Sequence, residues 1–476
     1  MPEINIPIAN GFYKSDSLPV SAQECINWYP VINEAPALSP EILRGIPGVS
    51  LLGTTGNKLA DSSRGLHIMA GVPYFVNGGF LYKMAADYTI TNLGVISGTA
   101  RVSMSDNGTQ LMVLIPGGLG YIYNHVSGAF VQITDTDFTA NGAPQYVTFV
   151  DSYFVVTTDS KKFICSSPND GTNWNALDFG SAESDPDDTV APMVHRNQLF
   201  IGGGETLEGF QNIGGTDFPF QRSGIFIDKG VKAPFSVVNT PDSVAFVGGG
   251  ANESPAVWVL QGSQVNKIST IPIDSILQDL TEAEVAAIHS WAYAQNGAYF
   301  VGFTLPQSTI VYDFTSSRWH ERKSYIDSAE VSYRVAGLAQ AYNIVICTDS
   351  IDGRIGRLDP DVYTEYGDLI IRTVVTQPFQ NNGLSIFVAS LELTVESGVG
   401  NSAFKNPAMT LERSNDGKTW SEPLSRFIGK VGEYSKRAIW RRLGRVARFE
   451  LFRFKLSAPV KPVVIQATAN ITSGTR

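Results

Sequence analysis

The sequence has few of the residues that secreted scaffolds and metal sites depend on. It contains three cysteines and five histidines in 476 residues. Cys25, Cys165 and Cys347 are far apart and form no C-x-x-C pair, which excludes a disulfide framework and a cysteine zinc site and predicts reduced, buried thiols. The histidines show no i,i+4 pair, and H-E-x-x-H, G-x-S-x-G and Walker motifs are absent. We therefore expect no enzyme activity, no catalytic residue, no metal site and no cofactor.

Charge is also scarce. Charged residues make up 17% of the chain, below the ~25% typical of globular proteins, and the formal net charge is -10. An acidic protein is a poor candidate for a nucleic-acid coat, because affinity for DNA comes largely from Lys and Arg neutralising phosphates. An acidic net charge is instead compatible with a surface along which DNA moves without being bound tightly. There is no apolar run of ~18 residues and no signal-peptide pattern, so we expect no membrane anchor and synthesis in a cytoplasm.

Glycine (45 residues) and aromatic residues (11%) are plentiful, and they occur in a repeating pattern. Short apolar strand cores, each followed by a Gly, Asn or Asp turn, recur at intervals of 37 to 58 residues. These cores begin at Tyr74, Leu111, Tyr153, Leu199, Val257, Tyr299 and Ile344. A period of ~40–50 residues built from hairpins is typical of β-propellers. The sequence therefore predicts an all-β fold with a six- or seven-bladed propeller over residues 61–360.

Two features interrupt this repeat. The longest interval contains a polar, Gly-rich stretch at about 205–240, which we interpret as an insertion, a loop or extended hairpin that protrudes from one blade. The second is a helix predicted between Pro272 and His289, where Thr281 and Glu284 form a capping-box pattern. This helix would connect two blades.

The two ends of the chain do not follow the repeat. Prolines at positions 7, 19, 30, 36, 40 and 47 predict that residues 1–60 form an extended N-terminal arm without regular elements, packed along the propeller or a neighbouring subunit. Residues 361–476 alternate apolar and polar side chains, as in Leu391–Val395, which predicts a C-terminal β-sandwich. Its strands are predicted at 369–376, 386–395, 408–413, 438–442, 449–456 and 463–472.

Two segments resemble the Asp box of sialidase propellers, namely Ser167–Trp174 and Ser414–Ser421. A propeller glycosidase or glycan-binding protein is therefore the alternative function. The box itself is a structural hairpin, in which Asp and Gly build the turn and Trp packs beneath it. The arginine cluster and the Tyr–Glu pair that sialidase chemistry requires are not evident in the sequence.

One loop is rich in carboxylates, which are the ligands that Ca²⁺ prefers. It lacks the regular ligand spacing and the mid-loop glycine of known calcium loops, so a solvated acidic loop is the preferred interpretation. Its acidic residues are Asp178, Glu183, Asp185, Asp187 and Asp188.

A basic segment near the C-terminus contrasts with the acidic chain. Residues 435–448 contain six of the 35 Lys and Arg residues, together with one tryptophan. Arginine forms bidentate pairs with carboxylates, and tryptophan often anchors protein interfaces. We therefore predict an interface here, with Trp440 also open to interpretation as a core residue. The candidate interface residues are Lys436, Arg437, Trp440, Arg441, Arg442, Arg445 and Arg448, joined by Trp28 and Tyr29 of the arm.

Several short motifs in chain order resemble the packaged-DNA stabilisation, or tail hub (nozzle), proteins of short-tailed phages. Each motif is short, and together they span nearly the whole chain. They are Asn27–Val31, Ile46–Gly48, Ser63–Gly65, Arg101–Met104, Asp228–Gly230, Thr281–Glu284 and Lys436–Arg445.

This resemblance implies a structural role in a virion tail. In such phages, six copies form a ring below the portal and adaptor, extend the DNA channel, retain the packaged genome, and dock a needle or plug and fibres or tailspikes. It also implies that genomic DNA passes without sequence-specific binding, and that the tail assembles in the host cytoplasm. The basic segment would pair with acidic surface on the adaptor or on a neighbouring subunit.

Overall fold

The computed structural model describes residues 3–56, 58–182, 187–215, 218–381 and 384–473. Within these ranges, strands form seven blades around a channel and a two-sheet sandwich, and two short α-helices lie between blades. This architecture matches the predicted fold class and sets the blade count at seven among the described residues.

The N-terminal arm is built of short strands. It contains β1 (Glu3–Ile6), β2 (Tyr13–Lys14), β3 (Ala22–Ile26), β4 (Trp28–Ile32), β5 (Glu41–Gly45) and β6 (Gly48–Thr54). The prediction that its prolines exclude regular elements is wrong. Pro30 lies within β4, which is an edge strand of its sheet, and a missing N–H at an edge breaks no ladder bond.

The first four blades follow one another along the chain, each as a four-stranded antiparallel sheet. Blade 1 is β7 (Ser63–Met69), β8 (Val72–Asn77), β9 (Phe80–Met84) and β10 (Ile90–Val95). Blade 2 is β11 (Ser103–Asp106), β12 (Gln110–Ile115), β13 (Leu119–Asn124) and β14 (Phe130–Gln132). Blade 3 is β15 (Pro144–Val150), β16 (Tyr153–Thr158), β17 (Lys162–Ser167) and β18 (Asp170–Ser181). Blade 4 is β19 (Thr189–His195), β20 (Gln198–Gly203), β21 (Leu207–Asn212) and β22 (Phe220–Ile227).

The remaining blades are less regular. Blade 5 is β23 (Gly230–Val231), β24 (Val238–Asn239), β25 (Val244–Gly249), β26 (Ala256–Gln261) and β27 (Gln264–Lys267). The helices α1 (Ile271–Gln278) and α2 (Glu282–Ala286) follow. Blade 6 is β28 (His289–Gln295), β29 (Ala298–Thr304), β30 (Thr309–Asp313), β31 (Arg318–Ile326) and β32 (Ala329–Ser332). Blade 7 contains β33 (Val335–Ala341), β34 (Ile344–Asp349) and β35 (Arg354–Asp359), with β36 (Thr364–Glu365) and β37 (Asp368–Leu369) at its margin.

The arm closes the ring of blades. In blade 7, β6 pairs antiparallel with β35, with Val49 opposite Leu358, and so supplies the fourth strand. Blade 7 then packs its first strand, β33, against β7 of blade 1. Residues 48–54, which were predicted to belong to the arm, are therefore part of the propeller.

The segment at about 205–240 is a correction to the prediction. It does not protrude as an insertion, because β21 pairs with β20 and β22 pairs with β21 as the third and fourth strands of blade 4. Its last part, β23 and β24, pairs with β25 in blade 5. The extra length comes from the broken first strand of blade 5, where a 3₁₀ turn at Pro234–Ser236 separates β23 from β24.

Tight turns explain how one pattern repeats in several blades. In blades 1, 3, 4, 6 and 7, two residues with positive φ join the first strand to the second. Two positive φ values in sequence define the type I′ turn, whose twist matches that of antiparallel strands. These pairs are Ala70–Gly71, Asp151–Ser152, Arg196–Asn197, Asn296–Gly297 and Tyr342–Asn343.

The helical segment lies between blades 5 and 6, as predicted, but the single predicted helix is in fact two helices, α1 and α2, separated at residues 279–281. Thr281 caps α2, and Glu284 returns the bond to the backbone N–H of Thr281, so the predicted capping box is confirmed. Among the described residues, neither α-helix has the length and apolar character needed to cross a membrane.

The C-terminal sandwich has two sheets with one shared core. Its strands are β38 (Arg372–Val375), β39 (Phe379–Gln380), β40 (Ile386–Val395), β41 (Ala408–Ser414), β42 (Leu424–Phe427), β43 (Ala438–Val446), β44 (Phe449–Leu456) and β45 (Val463–Ser473). One sheet has the order β4-β5-β45-β40-β43, and the other continues from β3 through β38, β44 and β41 to β42. Leu391 and Trp440 of the first sheet pack against Leu411, Phe452 and Phe454 of the second.

A continuous sheet joins the propeller to the sandwich. Strand β3 contacts β31 of blade 6 on one side and pairs with β38 of the sandwich on the other. The next residue, Asn27, is 1% exposed, and its side-chain amide donates to the carbonyl oxygens of Lys323 (2.9 Å) and Ile371 (2.7 Å). Its side-chain oxygen accepts from the Lys323 N–H at 3.0 Å. Asn27 therefore links three segments that are distant in sequence.

Candidate interface of the C-terminal sandwich

The basic segment forms most of β43, an edge strand. Among the described residues, β43 pairs only with β40, so its other side is not covered by a strand of the same sheet. The uncovered side of an edge strand exposes unpaired backbone N–H and C=O groups, and charged side chains on such a strand protect it from pairing with other chains. The exposed members of the segment are Lys436, Arg437, Arg441, Arg442, Arg445 and Arg448.

A β-bulge sets which side chains of β43 face outward. Ser390 pairs with Arg441 and Val388 with Gly444, so two residues of β43, Arg442 and Leu443, stand opposite one residue of β40. Arg442 has a φ of 60°. In a regular strand, Arg442 would point to the same face as Trp440, since side chains alternate. The bulge instead turns Leu443 into the core and leaves Arg442 exposed.

The charges of this edge are only partly neutralised within the chain. Arg437 forms an ion pair with Glu392, and Lys436 lies 3.6 Å from Glu433. Among the ion pairs of the described residues, none involves Arg441, Arg442, Arg445 or Arg448. We call these four arginines the cationic edge. Their guanidinium groups are free to pair with carboxylates of another surface.

Exposed apolar residues lie beside the cationic edge. Strand β42, the edge of the other sheet, is joined to β43 because Arg426 Nε donates to the Ile439 carbonyl oxygen at 2.9 Å. Leu424 and Phe427 of β42 are exposed, and so are Val431 (67%) and Tyr434 (77%) in the following loop. Apolar and aromatic side chains next to arginine are typical of protein interfaces.

The three aromatic residues of the predicted interface are buried within the subunit. This corrects the prediction for Trp28 and Tyr29, while Trp440 takes the core role that the sequence left open. Trp440 and Trp28 are 0% exposed in the sandwich core, and Tyr29 is 6% exposed between the arm and blade 6. The Trp440 indole N–H donates to the Leu424 carbonyl oxygen at 2.6 Å. Buried side chains of this kind stabilise the subunit and cannot anchor a partner in this conformation.

The Asp-box segments are hairpin turns, as predicted. Trp174 is buried, and its indole N–H donates to the Gly171 carbonyl oxygen at 3.0 Å. In the second box, the Asp416 carboxylate accepts from the backbone N–H groups of Lys418 (2.7 Å) and Thr419 (2.8 Å). These bonds hold the pKa of Asp416 well below its usual range. Both motifs therefore serve to form hairpin turns.

The structure describes three of the five acidic residues of the predicted acidic loop. Glu183 and Asp185 lie outside the described residues. The Asp187 carboxylate accepts from the backbone N–H groups of Glu205 (2.8 Å) and Thr206 (3.2 Å), which fixes the turn between β20 and β21. Within the described ranges, no group of three or more His, Cys, Asp or Glu residues is arranged to hold a metal ion.

The chain is an all-β protein in which a closed propeller is joined to a β-sandwich. The cationic edge of the sandwich is suited to contact with another protein. Two family models match the chain in order. The model described as "Bacteriophage P22 Gp10, beta-propeller" matches residues 4–363, and "Bacteriophage P22 Gp10, beta-sandwich" matches residues 371–472.

The chain therefore belongs to the bacteriophage P22 Gp10 family. Among curated proteins, the tail hub protein gp10 of Salmonella phage P22 is 24% identical over 440 residues, which cover 89% of this chain and 89% of that protein. The predicted membership of the tail hub family is confirmed. Neither family description nor the name of this relative refers to glycan binding or glycoside hydrolysis.

Solved structures show weaker similarity. The computationally designed Ika8 protein has a TM-score of 0.37 at 13% identity, covering 71% of this chain and 100% of its own. A chain of the mitotic checkpoint complex has a TM-score of 0.41 at 13% identity (69% and 96% covered), and the N-terminal domain of Nup159 has 0.41 at 10% (71% and 99%). TM-scores this low carry no argument about function.

Proposed function

We propose that the protein is the hub of a phage tail. Six copies form a ring below the portal and adaptor, extend the DNA channel, retain the packaged genome, and dock the tail needle or plug and the fibres or tailspikes. The tail assembles in the host cytoplasm. The observation that carries this proposal is the match of propeller and sandwich, in order and over nearly the whole chain, to the family of a phage tail hub protein.

The architecture supports a mechanical role. A ring of identical subunits repeats one heterologous interface, so each subunit must hold its two interface surfaces in a fixed relation. Here the arm strand β3 joins blade 6 to the sandwich through one sheet, and Asn27 bonds both. The propeller and the sandwich are therefore coupled through hydrogen bonds of the backbone. This rigid connection suits a ring that must resist the pressure of packaged DNA.

The cationic edge is the proposed contact surface. Arg441, Arg442 and Arg445 are exposed on a chain whose net charge is -10, so an acidic surface on a neighbouring copy or on the adaptor is their natural partner. Arg448 completes the cationic edge, and Lys436 and Arg437 extend the same surface. An acidic body repels phosphate and keeps DNA mobile in the channel, without sequence-specific contacts.

The test uses particles of the parent phage that lack this protein. Purified protein is added to DNA-filled, hub-less particles, and DNase-resistant DNA is measured after incubation. We expect the particles to lose DNA without the protein and to retain it with the protein. A heat-unfolded sample at the same concentration is the control. Equal DNA retention with and without the folded protein would contradict the proposal.

A further inference from the structure

The first strands of the seven blades enclose a channel with a cavity of about 710 Å³. A cavity of this size is in the range that binds small molecules. Its wall combines apolar side chains such as Met104 and Trp291 with polar ones such as Ser103 and Thr148. This propeller channel lies within one subunit and differs from the DNA channel that a ring of subunits would enclose, so the proposed hub function assigns it no role.

Arg101 lies across the channel. It precedes β11 of blade 2, yet its guanidinium Nη2 donates to the carbonyl oxygen of Ala336 in blade 7 at 3.4 Å. The same guanidinium lies 6.0 Å from the ring centroid of Phe235, which belongs to blade 5. The 3₁₀ turn that breaks the first strand of blade 5 places Phe235 at this point. Arg101 therefore reaches two blades that are not its neighbours.

The charge of Arg101 is not matched within the described part of the chain. The ion pairs of that part do not include Arg101, and its one hydrogen bond there is the long contact to Ala336. Burial lowers the pKa of Arg101 to about 10, so the side chain remains cationic at neutral pH. A guanidinium has five N–H donors. Arg101 lines the cavity and uses one of these donors in a hydrogen bond to the described residues.

A second donor lies at the same end of the channel. The ring of Tyr146 in β15 packs edge-on against Phe235, with 5.1 Å between ring centroids. Burial raises the pKa of Tyr146 to about 12, which keeps the hydroxyl protonated and able to donate. Within the described residues, no side-chain hydrogen bond engages this hydroxyl. The nearby His67 is already paired, with its Nε2 at 2.6 Å from Asp106 Oδ2.

We propose that the propeller channel binds a small oxyanion, carrying a carboxylate or phosphate group, between the guanidinium of Arg101 and the hydroxyl of Tyr146. The fork of the guanidinium matches two oxygens of such a group. The ring of Phe235 lies near both residues, 6.0 Å from the Arg101 guanidinium and 5.1 Å from the ring of Tyr146, and so holds them on one side of the cavity. The anion would supply the negative charge that Arg101 lacks among its contacts within the described residues.

Isothermal titration calorimetry on the full chain tests this proposal, with inorganic phosphate and citrate as probes in Tris-chloride at pH 7.5. We expect saturable binding of at least one probe with one site per chain. Arg101→Gln should weaken binding about tenfold or more, and Tyr146→Phe about threefold to tenfold, as expected for hydrogen bonds to a charged group. Arg44→Gln, which removes an exposed arginine outside the channel, should leave binding unchanged.

Circular dichroism and thermal unfolding of each variant separate loss of binding from loss of fold. If Arg101→Gln does not fold, Arg101→Lys keeps the charge without the fork and should bind more weakly than the parent protein. Absence of saturable binding of both probes, or equal binding by folded Arg101→Gln, would overturn the proposal. The experiment uses isolated protein, so absence of anion binding would not contradict the proposed hub function.

Discussion

Buried charged side chains cluster where blade 6, blade 7 and the start of the sandwich meet, and each is stabilised differently. Arg322 is 0% exposed, and its guanidinium lies 5.2 Å from the ring centroids of Trp291, Tyr293 and Phe300. Aromatic faces stabilise a desolvated cation. Arg334 is instead paired with carboxylates, because its Nε donates to Asp349 at 2.7 Å.

Glu365 is the least compensated member of this cluster. It is 1% exposed, and burial raises its pKa from 4.5 to about 7. The Ser324 hydroxyl and the positive charges of Arg334 and Arg372 oppose this shift only in part, and the Asp349 carboxylate adds to it. Because the folded pKa lies above the unfolded value, the stability that Glu365 contributes is complete below pH ~4.5 and is lost as the pH rises through ~7.

The first prediction concerns Glu365→Gln, which imitates the protonated carboxyl at every pH. The stability of the variant relative to the parent protein should increase between pH 5 and pH 8 by about 2 kcal/mol, since one pKa unit corresponds to ~1.4 kcal/mol. Unfolding followed by calorimetry at both pH values measures the change. Glu282→Gln, at an exposed position on α2, should show no such change. A difference that is the same at both pH values would contradict the assignment.

At the scale of single elements, the basic residues of β43 are compatible with two roles, protection of a sheet edge and recognition of a partner. The sequence does not distinguish between these roles. Charged side chains and a bulge protect an edge strand from pairing with other chains. The same residues suit recognition of an acidic partner. The two roles differ in consequence, because edge protection requires charge of either sign, whereas recognition of an acidic surface requires positive charge.

The second prediction uses this difference. Arg441→Glu with Arg445→Glu keeps the edge charged and exposed, so folding should change by less than ~1 kcal/mol, as is usual for surface substitutions. Association with hub-less particles should fall about tenfold or more, since acidic surfaces would then face each other. Cosedimentation with the particles measures association. Arg44→Glu with Lys58→Glu, an equal change of charge at exposed positions elsewhere, is the matched control. If the β43 variant associates with the particles as well as the parent protein does, β43 is not part of the interface.

Strand prediction succeeded where local alternation was strong. The predicted strands at 386–395 and 449–456 coincide with β40 and β44, because apolar and polar side chains alternate along both. The pattern could not predict that Arg442 faces outward, since the bulge depends on pairing with β40. It also could not place Trp440, because an aromatic residue in a basic strand is equally compatible with a core and with an interface.

At the scale of the whole molecule, the N-terminal arm determines how the parts hold together. It supplies β6 to blade 7 and β3 to the junction with the sandwich. Asn27 at this junction adopts a φ of 59° and makes buried hydrogen bonds to Lys323 and Ile371. The propeller and the sandwich should therefore unfold together.

The third prediction is that Asn27→Ala uncouples the two parts. The substitution leaves buried carbonyl oxygens unpaired, which costs about 1–3 kcal/mol for each group, and it places alanine in a left-handed conformation. Calorimetry should show one transition for the parent protein and two separated transitions for the variant. Asn252→Ala is the matched control, because Asn252 has a φ of 56° but is exposed. A single transition shifted equally for both variants would show that Asn27 does not couple the domains.

The amino-acid sequence by itself determined the strand cores, the repeat of about one blade per 40–50 residues, the capping box and the resemblance to tail hub proteins. All of these depend on residues that are near each other in the chain. Only the tertiary structure decided that β6 completes blade 7, that residues 205–240 form strands of blades 4 and 5, and that Arg101 crosses the channel. For β6 and Arg101, the physical reason is that their contacts join segments roughly two to three hundred residues apart. Such contacts are selected by packing of the whole chain and leave no local pattern. Residues 205–240 pair with neighbouring strands, but their polar, Gly-rich composition gives a weak strand signal.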